Sequence, residues 1–88
     1  MELSKAIKKL EKAGFSLNHN GNCYVASKAE NREQIEFFSQ KREDEEGKEI
    51  WKICCIKVVS KGEKPMPEVD YFPGTFVNNI TQAIKWTR

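Results

Sequence analysis

Few side chains in this sequence could do chemistry, and they are scattered. There is one histidine, His19, and there are three cysteines, Cys23, Cys54 and Cys55. His19 and Cys23 lie four residues apart across an expected hairpin, close enough to consider as a base and a thiol nucleophile. No carboxylate is placed to orient the imidazole, and a lone histidine beside a turn is most often structural. A metal-free hydrolase built on this pair therefore ranks last of three readings. Cys54 and Cys55 are adjacent in an apolar strand pattern, where successive side chains point to opposite faces. With an odd cysteine count, that arrangement reads as reduced thiols packed as small hydrophobes. The sequence has no C-x-x-C, H-E-x-x-H, G-x-S-x-G or glycine-rich phosphate loop. The expectation is a protein that is not an enzyme, with no cofactor and no metal.

The charged clusters are the next candidates. Glu68 and Asp70 lie beside Tyr71 in a proline-rich stretch, and Glu43, Asp44, Glu45 and Glu46 form an acidic block. Carboxylates in such loops offer a partner-binding surface, and the block also keeps a turn solvated. Lys5, Lys8, Lys9 and Lys12 fall on one side of an expected helix, with Lys28, Arg32, Lys41 and Arg42 near strand ends. If these cations converge they form a phosphate-binding stripe. Fifteen Lys and Arg against thirteen Asp and Glu leave a formal charge of +2. Nucleic acid is thus permitted by charge but not indicated by it.

These residues need a scaffold, and its elements can be read from periodicity. Leu3, Ala6, Ile7, Leu10 and Ala13 recur at helical spacing, with Gly14 placed to cap the end. Phe15 to His19 alternates, Asn20-Gly21 suits a type I′ hairpin, and Asn22 to Ser27 returns as a strand. In Gln34 to Gln40, Ile35 and Phe37 alternate with Glu36 and Phe38. Lys41 to Lys48 reads as a charged hairpin loop. Glu49 to Ser60 is apolar on both faces, as in a central strand. Lys61 to Gly74 holds all three prolines and reads as an irregular loop, after which Thr75 is the expected N-cap of a helix running to Trp86. The prediction is one α+β domain over residues 1–88, an antiparallel sheet of about four strands flanked by an N-terminal and a C-terminal helix, in the order α-β-β-β-β-α. No stretch reaches the roughly 20 apolar residues that cross a bilayer, and Met1 to Lys5 lacks a signal-type apolar core, so a cytoplasmic protein is expected. Both monomer and homodimer are open.

Two resemblances add to this reading. The opening, Ala6-Ile7-Lys8-Lys9-Leu10-Glu11-Lys12-Ala13-Gly14-Phe15 and then Asn20-Gly21-Asn22-Cys23-Tyr24, resembles the start of HicA-type toxins, small ribonucleases with a double-stranded-RNA-binding-like fold. In that family a catalytic histidine follows the hairpin glycine, whereas the matching positions here hold Asn22 and Cys23. The resemblance thus implies the fold without its ribonuclease centre. The ending, Asp70-Tyr71-Phe72-Pro73-Gly74-Thr75-Phe76 with Asn79-Ile80-Thr81-Gln82-Ala83-Ile84, resembles the closing segment of small uncharacterised proteins of bacteriophages and other mobile elements. That resemblance implies a genomic setting, not a reaction, and proteins of that kind often work by binding a host or phage protein, including defence systems. A protein-binding module therefore ranks first, and a nucleic-acid binder using Lys5, Lys8, Lys9 and Lys12 ranks second.

Overall fold

The structure, a computed structural model, describes residues 1–61 and 75–87. The chain runs α1 (Leu3–Lys12), β1 (Ser16–Asn20), β2 (Cys23–Ser27), β3 (Glu33–Glu43), β4 (Glu49–Ser60), β5 (Thr75–Phe76) and α2 (Ile80–Trp86). The strands form one antiparallel sheet in the order β1-β2-β3-β4-β5. This is the expected α+β arrangement with flanking helices, extended by a short fifth strand. None of the described helices is long and apolar enough to cross a membrane.

Helix α1 forms because its apolar residues keep one stripe, from which Ala6 and Leu10 are fully buried. It stops at Gly14, whose φ of +94° suits glycine. There the Phe15 N–H donates to the Leu10 carbonyl and the Gly14 N–H to that of Glu11, both at 3.0 Å, which makes the paired bonds of a Schellman cap. Phe15 is thereby turned into the core, where it is buried.

Four boundaries differ from the sequence expectation. The β1–β2 turn has Gly21 and Asn22 at its tip, since Asn20 pairs with Cys23. Only Gly21 has positive φ, at +61°, as a type II′ turn requires. The long hairpin keeps Lys41, Arg42 and Glu43 inside β3, paired with Trp51, Ile50 and Glu49, so its loop is shorter than expected. Cross-strand contacts such as the 2.9 Å Lys41–Glu49 ion pair make the charged residues compatible with a strand. Thr75 does not cap a helix. Together with Phe76 it pairs with β4, which suits a β-branched and an aromatic residue. The cap is Asn79, whose Oδ1 accepts from the Gln82 N–H at 2.8 Å, while Gln82 Oε1 accepts from the Asn78 N–H at 3.0 Å.

Both helices pack on the same face of the sheet and touch each other. Ala6, Leu10, Ile80 and Ala83 meet Ala26, Ile35, Phe37, Ile56 and Val58 in one cluster. Burying each large apolar side chain there stabilises the fold by roughly 1.5–3 kcal/mol.

Strand β4 reaches this cluster through a bulge. Between the pairs Glu36–Lys57 and Phe38–Cys54, β3 has one residue, Phe37, while β4 has two, Cys55 and Ile56. Cys55 is the extra residue and has a left-handed φ of +53°. Its strand neighbours therefore change phase. Ile53 before the bulge and Ile56 and Val58 after it all point toward the helices, which strict alternation would forbid. Ile53, Ile56 and Val58 thus serve the helix-covered face, while Cys54 and the buried Val59 remain on the other. A non-glycine residue in this conformation stores roughly 1–2 kcal/mol of strain. Cys55→Val, which adds β-branching at positive φ, is expected to lower unfolding stability by about 1–2 kcal/mol, whereas Cys55→Gly should hold or raise it. Urea-denaturation midpoints of the two variants provide the measurement.

Candidate interaction surface

Among the described residues, both helices leave the second face of the sheet without a helical layer. Strand register assembles its surface. Val25 on β2 pairs with Glu36 on β3, Glu36 with Lys57 on β4, and Lys57 with Phe76 on β5. Directly paired residues share a face, so these four side chains form one row across four strands. The next row consists of Cys23, Phe38 and Cys54, again linked by direct pairing.

The centre of the first row is an ion pair, with Lys57 Nζ 3.5 Å from Glu36 Oε2 and both side chains largely shielded. Its flanks are apolar. Phe38 is 43% exposed and Phe76 66%, the latter the most exposed large hydrophobic side chain among the described residues. Aromatic rings left in water at such levels on a continuous sheet surface are the usual mark of a contact surface. The row itself is invisible in any single strand. Phe38 alone carried a signal, as an aromatic residue at a position where the alternation with Ile35 and Phe37 calls for a polar one.

The three cysteines are free thiols. Cys23 and Cys54 are half-buried on this surface, and Cys55, pushed out at the bulge, is exposed. Cys55 is therefore not the packed hydrophobe expected. Burial, with help from the Glu36 carboxylate, pushes the Cys23 thiol up. Burial, followed by a hydrogen bond with Cys55, does the same to Cys54. Raised values leave these two thiols protonated and poorly nucleophilic.

His19 does not join Cys23. His19 pairs with Tyr24 and Cys23 with Asn20, so the imidazole and the thiol are on opposite faces of the hairpin. His19 instead stacks on Tyr24 at 5.3 Å between ring centroids, and Tyr24 on the buried Phe37 at 5.4 Å. Its role is to end an aromatic column on the helix-covered face. Among the described residues, no group of three or more His, Cys, Asp and Glu side chains could hold a metal ion.

The charged candidates divide by position. Asp44 closes the hairpin loop, since its Oδ1 accepts from the N–H groups of Glu46 at 2.9 Å and Lys48 at 2.8 Å. Gly47 completes the turn with a φ of +79°. Glu43, Glu45 and Glu46 are exposed around it. Glu68, Asp70 and Tyr71 lie outside the described residues. Lys5, Lys8, Lys9 and Lys12 are all exposed on the outer side of α1. Near the end of that helix, Lys28 places its Nζ 4.8 Å over the Phe15 ring, and its carbonyl accepts from Lys61 Nζ. The Lys61 N–H in turn donates to the Arg32 carbonyl at 3.0 Å. Lys41 and Arg42 are at the far end of β3, about 30 Å from Arg32 at strand spacing. Of the strand-end cations, Lys28 thus adjoins the helix end, while Lys41 and Arg42 do not.

An apolar cleft between α1 and the start of β4 is lined by Leu3, Ile7, Ile50 and Trp51, with Glu2 and Glu49. No match to this chain is found among protein-family models, curated proteins or solved structures.

Site-resolved alkylation checks the thiol chemistry. Cys23 and Cys54 are expected to label slowly at about pH 7.5 and to gain rate as the pH passes the ordinary thiol value of 9.0. A labelling rate that levels off below about pH 8 would identify a stabilised thiolate and contradict the assignment.

Proposed function

We propose that this chain is a protein-binding module without catalytic chemistry of its own, and that its binding surface is the sheet face opposite the helices. The observation that carries this reading is the exposure of Phe38 and Phe76 on one continuous strand surface. Apolar anchors beside a charged pair supply both the area and the orientation that a protein interface uses. The raised thiols and the separation of His19 from Cys23 support a binding role over a hydrolytic one.

Capture of a partner from the cells that carry this protein tests the reading. The Phe38→Glu and Phe76→Glu variants are expected to lose the partner by at least about 10-fold, since each removes a buried aromatic anchor and buries a charge. Lys5→Glu and Lys9→Glu on the opposite layer should leave capture unchanged. Equal capture by all four variants would sink the proposal.

A second reading, nucleic-acid binding, is supported by the exposed lysines of α1 and by Lys28 at the end of that helix, whose carbonyl accepts from Lys61. If Lys5, Lys8, Lys9 and Lys12 each meet a phosphate, affinity for duplex RNA or DNA should fall about 100-fold between roughly 50 and 200 mM salt. Fluorescence anisotropy with wild type and a four-fold Lys→Glu variant measures this, and absence of binding at low salt rules it out.

A further inference from the structure

We propose that β1 is a dimerisation edge, to which a second copy of this chain adds its own β1 antiparallel, about a two-fold axis that passes through Asn18 normal to the sheet. This edge is distinct from the open sheet face, and the pairing goes beyond the binding reading above without depending on it.

Strand β1 ends the sheet and is bonded to β2 alone among the described strands. Asn20 and Cys23 pair directly across the two-residue turn, so they exchange both of their backbone bonds. Bond direction alternates along a strand, and Asn18 and Ser16 therefore also turn their N–H and C=O groups toward β2. Leu17 and His19 turn theirs outward. Among the described residues, no backbone group bonds to that outer side. The opposite edge of the sheet is filled along most of its length. There Lys57 and Val58 pair with β5, the Val77 N–H donates to the Ile56 carbonyl, the Ile53 N–H donates to the Met1 carbonyl, and Glu2 bridges to Lys52.

Exposed edges are commonly guarded by charged side chains, proline or a bulge. Strand β1 has none of these. Its register with β2 is unbroken, and no Asp, Glu, Lys, Arg or Pro occurs between Lys12 and Lys28, in a chain whose composition is 32% charged.

Bond parity makes a second β1 the matching strand. The outward groups are on Leu17 and His19, placed symmetrically about Asn18. A two-fold axis at Asn18 sets Leu17 opposite His19 of the second copy and His19 opposite its Leu17. Each of these pairs exchanges two N–H···O bonds, and every outward group on both copies is used. Other axes fail. One placed between two residues sets outward groups against inward ones. One at Leu17 brings His19 opposite Phe15, whose N–H is already given to Leu10, and one at His19 brings Leu17 opposite Gly21 in the turn.

The side chains agree with this register, because directly paired residues share a face. On the helix-covered side the apolar Leu17 packs against the imidazole of the second copy. On the other side Asn18 meets itself at a non-hydrogen-bonded position, where side chains come closest and two amides can exchange N–H···O bonds. Ser16 meets Asn20, and nowhere does a charge meet its like. The contact involves one strand of five residues from each copy, well below the ~800 Å² per partner of tight complexes. The dissociation constant is accordingly on the order of hundreds of micromolar.

Sedimentation equilibrium of the whole chain provides the test. The wild-type mass is expected to rise from 10.2 kDa toward twice that value as concentration increases to about 2 mM. Asn18 is exposed, so its replacement leaves the monomer core untouched. Asn18→Lys sets two ammonium groups together on the axis and Asn18→Asp two carboxylates, and each variant alone should associate at least about 10-fold more weakly. An equimolar mixture of the two should restore the dimer, because a lysine then meets an aspartate. That recovery also shows that both variants fold. A wild type that stays at 10.2 kDa throughout overturns the inference, as does an Asn18→Lys variant that associates like wild type or a mixture that gains nothing. Phe38→Glu and Phe76→Glu should dimerise as wild type does. If they abolish the dimer while Asn18→Lys keeps it, the copies meet on the open face and the β1 assignment fails. If the wild type is monomeric yet Phe38→Glu loses its cellular partner, the β1 pairing fails and the binding reading stands.

Discussion

The fold depends on the extra residue that β4 inserts at Cys55. A strand alternates its side chains with a period of two, so apolar residues at Ile53 and at Ile56 and Val58 belong to opposite faces unless the phase is broken between them. The bulge breaks it. Ile53, Ile56 and Val58 then join Phe37 and Ile35 beneath the helices, while Cys54 and Lys57, three positions apart, both face the other way in register with Phe38 and Glu36. The left-handed backbone of Cys55 carries the strain of this switch. Bulges also increase local twist and bend the strand, and this one lies in the longest strand of the sheet, beside the ion pair of the open face.

From that phase change follows the division of the molecule into two unlike surfaces. One face is sealed by α1 and α2, whose small residues Ala6 and Ala83 let the helices approach the sheet closely. The short α2 has only seven residues and owes its stability to this packing and to the Asn79 cap, because isolated helices of that length do not persist in water. Among the described residues, no helix covers the other face. Rows form there across strands, and their composition is decided by register instead of by any local segment.

The reactive groups are distributed by the same rule. Facing sides of one hairpin hold His19 and Cys23 apart. The aromatic column of His19, Tyr24 and Phe37 leads from solvent into the core and ties the β1–β2 hairpin to β3. The acidic block divides its labour, since Asp44 is spent on the turn while its neighbours remain solvated. The cations are split between the two ends of the sheet, so a near-neutral chain has a basic helical side and a mixed-charge hairpin tip.

Much of this architecture was legible in the sequence because it rests on local periodicity. The stripe from Leu3 to Ala13, the Gly14 stop, the β1–β2 hairpin, the alternation around Ile35 and Phe37 and the long β4 each follow from spacing and from the conformational demands of single residues. The turn moved by one residue because only Gly21 takes positive φ, and the last helix started later because Asn79 makes the better cap. Nothing local marked Cys55 as a bulge, since any residue in an apolar run can slip phase when burial on one face outweighs the strain at one position. That both helices share a face, and that Val25, Glu36, Lys57 and Phe76 line up, were likewise decided by the tertiary structure. These relations join residues up to about fifty positions apart, and chain periodicity holds no information about which strand will be whose neighbour or in what register they will meet.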